Sequence, residues 1–490
     1  MTTLIKGGTV YDGTGDAPRE ADVLMEGGTV ARIAPRINAR AGNVIEAKGM
    51  LVAPGFVDIA NYADHYGVLF SDPAGTELLI RGITSIVVGQ GGASLAPLSA
   101  SSMIPETWWG GSSSWGAHAT TIADFFSLLK GRMGVNVGTL VGFSSVREGI
   151  LRGAVRDLTD TEFERLDATL EEALKEGALG VSVNLEYLRT AGAPRHEILA
   201  AARAAAHRNA VVALRLRDRE DHVKDSIMEA LAIADEAKAN LLITDLEPYA
   251  RALDAYRMLL TQITRGSAEH NVHFTTSGSG LAGLPLPLLL PPHFREPEWH
   301  TMSAHLQNST TREELRTHFK RFRDVRFIVA ALSDPSLKLF EGTPFEKWSL
   351  HEHCSFEDAL LRLMEVTGFR GILAARVGED ELANAFALHD RALIASGEAA
   401  APSLESSPQL SFLTEARTLP IPLEQRIAKM TGAPAKKLNL TRRGFLREGY
   451  HADLIVLEKG VVREAFVNGV RAVEKGAPTG RRGGNTLMRE

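Results

Sequence analysis

The chain of 490 residues contains one cysteine, Cys354. That excludes an internal disulfide and fits a reducing compartment. A long apolar run is also missing: the most apolar stretch, 281–292, is broken by four prolines, so no membrane span is expected. Neither sign of charge dominates. The formal net charge is −6, which leaves no basic surface for nucleic acid and points to small molecules as partners. Nothing like a charged segment followed by an apolar one precedes the strand-like start at Leu4 and Ile5, so a cytoplasmic location is expected. Aromatic residues are few, at 6%, so Trp108, Trp109 and Trp115 in one Gly/Ser-rich stretch stand out as a lid, a substrate wall or a loop packed on itself.

What is present reads as a large soluble chain, 44% hydrophobic and 23% charged, with room for a big core and a smaller second domain. Short alternating segments punctuated by glycine fill residues 1–52 and recur in 421–490, so the two ends are expected to pair in one small β-sandwich. Between them strand and helix patterns alternate. Strands are expected at 56–62, 85–89, 136–142, 179–185, 211–217, 241–247, 272–278 and 393–396, with helices such as 160–176 and 225–238 between them. Parallel strands joined by crossover helices are the economical reading. The fold class is therefore α/β: a (β/α)8 barrel over 53–420, interrupted by an insertion at about 281–376 before the last strand.

The stretch Val52-Ala53-Pro54-Gly55-Phe56-Val57-Asp58 and the phrase Arg81-Gly82-Ile83-Thr84-Ser85-Ile86-Val87-Val88-Gly89 resemble the amidohydrolase superfamily. So do Gly177-Ala178-Leu179-Gly180-Val181-Ser182, Leu185-Glu186-Tyr187 and the closing Arg447-Glu448-Gly449-Tyr450-His451-Ala452-Asp453. Nearly the whole chain is similar to the N-acyl-D-amino-acid deacylase branch. That resemblance implies a β-sandwich beside a metal-bearing barrel. At the positions matching the family's metal ligands, however, this chain has Ala60 and Tyr62 on strand one, Gly91 after strand two, Arg215 on strand five, Asp245 on strand six, and Gly397-Glu398 after strand eight. Zinc needs three or four N, S or O donors. The resemblance thus implies the fold without the metal, and neither metal nor other cofactor is expected.

Charged residues stand at several of these positions. Arg215 and Arg217 lie two apart, as do Asp245 and Glu247, so in extended strands each pair shares a face. All four are expected in the barrel mouth. Asp64, His65, Arg215 and Asp245 are the candidate catalytic groups; Asn61, Tyr62, Tyr187, Arg217 and Glu247 are the candidate substrate-binding ones. One reading is a metal-independent enzyme acting on a small polar or carboxylate-bearing, amide-type substrate, with an arginine on a carboxylate or oxyanion and Asp64, Asp245 or His65 as acid/base groups. The alternative is a catalytically inactive binding or regulatory protein. An open pocket lined by Arg215, Asp245 and Asp64 favours the enzyme; side chains closed on one another favour the binding protein. A weaker oxygen-rich metal site of Asp64, His65, Asp245 and Glu398 is a further possibility. The run His351-Glu352-His353-Cys354 has a spacing that does not bring its donors to one face, so a surface helix entry is expected there. Oligomerisation is compatible with all of this.

Overall fold

The structure is a computed structural model that describes residues 2–99, 119–154, 156–187, 192–249, 252–266, 271–277, 281–295, 299–398 and 420–489. Trp108, Trp109 and Trp115 lie outside the described residues. No helix among the described residues is long and apolar enough to cross a membrane.

Eight parallel strands follow one another in spatial order: Phe56–Asp58, Ile83–Val88, Asn136–Gly142, Gly180–Asn184, Val211–Arg215, Asn240–Ile243, Val272–Ser277 and Ala392–Ala395. The last and the first approach closure, because Gly397 N donates to Ala60 O at 3.0 Å and Ser396 N to Asp58 Oδ1 at 3.0 Å. Helices such as Asp160–Lys175, Arg195–His207 and Val223–Ala237 return the chain between strands. The helix Asp160–Lys175 starts in a capping box, with Thr159 and Glu162 each accepting from the other's backbone N–H. Valine, leucine and alanine fill the barrel interior, among them Val57, Val87, Leu140, Leu179, Val211 and Leu393. Leu487, from the C-terminal segment, joins that core, and its N–H bonds Val137 O at 2.9 Å at the start of the third strand.

The two chain ends do pair. Strands from both build one continuous nine-stranded sheet, in which Leu51–Pro54 runs between Thr3–Val10 and Leu454–Glu458. That strand leads straight into the barrel through Gly55. A Cβ at Gly55 would run into the Thr84 side chain, so glycine permits the close approach of first and second strands.

Between the seventh and eighth strands lies a three-stranded antiparallel sheet of Ala282–Pro285, Gly371–Ala375 and Phe327–Leu332. Helices Phe345–His351 and Phe356–Thr367 accompany it, with Phe327, Phe345 and Trp348 in its core. His351 lies tilted against the Phe340 and Trp348 rings, with centroids at 5.2 and 6.0 Å, and Glu352 pairs with Arg362 at 3.2 Å.

Several barrel strands end earlier than their sequence pattern suggests. The first stops at Asp58 rather than 62, the fifth at Arg215 rather than 217, and the sixth at Ile243 rather than 247. The candidate site residues beyond these points therefore sit on loops at the carboxyl ends of the strands. This is the end at which barrel enzymes carry their sites.

Candidate functional site

Arg215 is the last residue of the fifth strand, and only 1% of it is exposed. Its guanidinium is gripped from both sides. Nε donates to Glu186 Oε2 at 3.0 Å, and Nη1 donates to Glu398 Oε2 at 2.5 Å and lies 3.7 Å from Asp245 Oδ2. Arg219 Nη2 reaches the same Glu186 oxygen at 2.9 Å. Burial works to raise the Glu186 carboxyl pKa, but the guanidinium groups of Arg219, Arg215 and Arg295 overcome it and hold it below its ordinary value. For Glu398, burial prevails over the attraction of Arg215, and its carboxyl is pushed up. Two donors in the cluster have no hydrogen-bond partner among the described residues: Arg215 Nη2 and Arg219 Nε, both buried.

Asp245 extends the cluster toward the first strand. It follows the sixth strand with φ at 53°, the left-handed region that aspartate tolerates better than most residues. Its backbone N–H is held by Thr275 Oγ1 at 2.9 Å. Its carboxylate accepts from Tyr62 Oη at 2.5 Å and from Glu398 N at 3.3 Å. The Tyr62 ring in turn meets the His65 ring edge-on, centroids 4.8 Å apart. Tyr66 Oη donates to Glu398 O at 3.0 Å.

Asp64 and His65 lie on the same loop but bond elsewhere. Asp64 is buried and accepts from Gly89 N at 2.8 Å and His65 N at 3.1 Å; burial lifts its pKa to about 7. His65 Nε2 faces Gln90 O at 3.2 Å, and burial lowers its pKa to about 3. Both tie the first-strand loop to the loop after the second. Asn61 does the same work locally, donating to Asp58 Oδ2 at 2.7 Å and accepting from Ala63 N at 2.9 Å. Its side-chain amide is thereby engaged within the turn. Tyr187 is half-buried, and its N–H is held by Asn184 Oδ1 at 3.2 Å.

Two pairings expected from strand periodicity are corrected. Arg217 does not join Arg215; it turns to the outer helix and pairs with Glu229 at 2.8 Å, one third exposed. The strand has ended, so the two-residue alternation no longer applies, and Arg219 takes the inward position instead. Glu247 does not pair with an arginine either. It accepts from Thr276 Oγ1 at 2.9 Å and from Ser277 N, and burial raises its pKa to about 7. A cavity of about 10 Å³ remains beside it, with Arg219, Asp245 and Glu398 also in its wall. That is room for one water molecule. Sequence reasoning missed Glu186 and Arg219 as site residues, although Glu186 lay in the phrase Leu185-Glu186-Tyr187.

Among the described residues, no group of three His, Cys, Asp or Glu side chains is gathered so as to hold a metal ion. The mouth is instead a network of guanidinium, carboxylate and phenol groups at the carboxyl end of a parallel barrel, with an auxiliary sheet built from both termini. An amidohydrolase-type architecture is what these features define. Comparison with solved structures agrees: a D-aminoacylase crystal structure matches with a TM-score of 0.80 at 22% identity, over 99% of both chains. An N-acyl-D-glutamate deacylase from Bordetella bronchiseptica, complexed with zinc and a phosphonate inhibitor, matches with a TM-score of 0.79 at 22% identity, again over 99% of both. No family model matches the chain. Among relatives by sequence, the N-acyl-D-aspartate deacylase of Alcaligenes xylosoxydans xylosoxydans is 27% identical over 94% of this chain and 86% of its own. The D-aminoacylase of that organism is 25% identical over 99% and 97%. Over nearly its whole length the chain is thus similar to D-aminoacylase-like proteins of the amidohydrolase superfamily.

Proposed function

We propose that this protein is a D-aminoacylase-like barrel whose metal centre has been replaced by the cluster around Arg215, and that it binds a small polar, amide-type molecule without metal-dependent hydrolysis. The supporting observation is the closure of Arg215 on Glu186 and Glu398. A guanidinium is a cation with donors only, so it supplies no ligand to zinc and repels it. The carboxylates that face it are already bonded to N–H groups or to Tyr62. These side chains do not fit a zinc ion.

A ligand is supported by the unmet donors Arg215 Nη2 and Arg219 Nε, since a buried N–H without an acceptor costs about 1–3 kcal/mol. A neutral carbonyl oxygen suits them better than a carboxylate. Glu186, Asp245 and Glu398 already surround the guanidinium groups, and a further anion would meet their charge. A second reading, metal-independent catalysis, is favoured by Glu247. Its carboxyl titrates near 7 beside the water-sized cavity, where an acid/base group works best.

The deciding experiment is metal analysis of the protein as purified and after incubation with zinc, alongside assays on N-acyl-D-aspartate and N-acyl-D-glutamate. The expected result is substoichiometric metal and no release of amino acid. Stoichiometric zinc with deacylation overturns the reading, and turnover without metal moves it to the second.

A further inference from the structure

At the opposite end of the barrel from the mouth there is a larger space. A cavity of about 630 Å³ lies between the helix Ile122–Leu129, the loop at 440–443 and the C-terminal segment 484–489. Its size falls within the roughly 300–1,000 Å³ range of small-molecule sites. Phe126, Leu440 and Leu487, all buried, give it apolar surface.

The charge around it is unbalanced. Among the described residues of the lining Glu176 is the one acidic group, and its Oε2 caps a helix start by accepting from Ile122 N at 2.8 Å and Ala123 N at 3.3 Å. Arg443 is paired with Asp453 and bonds Asn468 Oδ1 at 3.0 Å. Lys130 and Arg489 remain, and neither has a carboxylate partner among the described residues. Burial, together with the nearby positive charge of Arg208, holds the Arg489 guanidinium below its ordinary pKa. Two cations beside an apolar wall, one of them facing a like charge, are complementary to an anion with an apolar body.

We propose that this cavity is a second ligand site, for a small amphipathic carboxylate whose aliphatic or aryl part lies over Phe126, Leu440 and Leu487 and whose acidic end is held by Lys130 and Arg489. It is independent of the reading of the barrel mouth. Its distance from the mouth makes it suited to sensing such an acid while the mouth handles its own ligand.

The test is calorimetric titration of the full chain with hexanoate and benzoate, against hexanamide and benzamide. The carboxylates are expected to bind, with affinity falling as salt rises, and the amides at least tenfold more weakly. The double variant K130Q/R489Q is expected to lose at least tenfold in carboxylate affinity at unchanged melting temperature. A Ser127→Trp variant, which fills the cavity from an exposed position in its wall, is expected to abolish binding. Equal affinity for carboxylate and amide overturns the proposal, as does unchanged binding in K130Q/R489Q and Ser127→Trp. Loss of carboxylate binding in Arg219→Gln, with the two cavity variants unaffected, overturns it by placing the ligand at the mouth.

Discussion

Arg215 and Glu398 meet across the barrel mouth at 2.5 Å, the first from the end of the fifth strand, the second from just past the eighth. This pair and the Arg215–Glu186 contact link the loops that follow the fourth and eighth strands to the end of the fifth. Both arginine and carboxylates are nearly excluded from water, so each depends on the other for its charge to be tolerated.

Removal of Arg215 therefore leaves Glu186, Asp245 and Glu398 facing one another without a central cation. Arg215→Met is expected to cost about 3–5 kcal/mol in urea unfolding, the range for breaking one side of a buried pair. The triple variant Arg215→Met, Glu186→Gln, Glu398→Gln is expected to recover most of that loss, because the stranded charges go with the cation. If the triple variant is no more stable than the single one, the cluster is held by packing and not by charge.

Arg217 and Arg219 make a paired control, since their environments differ so much. Arg217→Gln removes a partly exposed ion pair with Glu229 and is expected to cost about 0.2–1 kcal/mol, shrinking with salt. Arg219→Gln removes a buried contact to Glu186 and is expected to cost about 1.5–3 kcal/mol, with little dependence on salt. Thermal unfolding at low and high salt separates the two.

This pair also shows where the sequence stops being informative. The barrel and the paired termini were legible, because apolar alternation and Pro-Gly turns report local structure directly. Position Arg215 was legible too, as the residue standing where the family places a ligand. Beyond a strand end, direction depends on the turn, and no periodicity describes it. Arg217 was therefore assigned to the mouth cluster when it turns out to Glu229, and Glu247 was given an arginine partner when its carboxylate bonds Thr276 and Ser277 instead, beside Arg219, Asp245 and Glu398. The Asn61 bond to Asp58 was not legible either, because it is made across a turn whose shape the sequence does not state. Glu186 and Arg219 were overlooked because their role arises from contact between loops of neighbouring strands.

Tyr62 connects the first-strand loop to the charge cluster through one hydrogen bond to Asp245. Tyr62→Phe keeps the ring against His65 and removes only the hydroxyl. A hydrogen bond to a charged group contributes about 1.5–3 kcal/mol, and a loss of that size in chemical unfolding is the expected outcome. A change below about 0.5 kcal/mol would mean that Asp245 finds another donor or water when the phenol is gone.

The pH dependence isolates Glu247. Its folded pKa, about 7, lies above the ordinary 4.5, so between these values the unfolded chain releases a proton that the folded one retains. Ionisation thus favours unfolding as pH rises from about 4 to 7, and above 7 the penalty is complete. One such proton corresponds to about 1.4 kcal/mol per pH unit within the window. Asp64 acts in the same direction, with its pKa near 7. His65 and His273, both held near 3 by burial, act oppositely: the unfolded chain takes up protons below about 6.5, and stability falls toward acid. Wild-type stability alone therefore mixes opposing slopes, and the informative quantity is the difference between variant and wild type at each pH. Glu247→Gln keeps a side-chain oxygen for Thr276 Oγ1 and Ser277 N and carries no charge. Its melting temperature is expected to exceed that of the wild type at pH 8, the gap closing steadily to nothing by about pH 4. A gap independent of pH would show that the Glu247 carboxyl titrates in the folded protein as it does in the unfolded chain, and would remove it from consideration as an acid/base group.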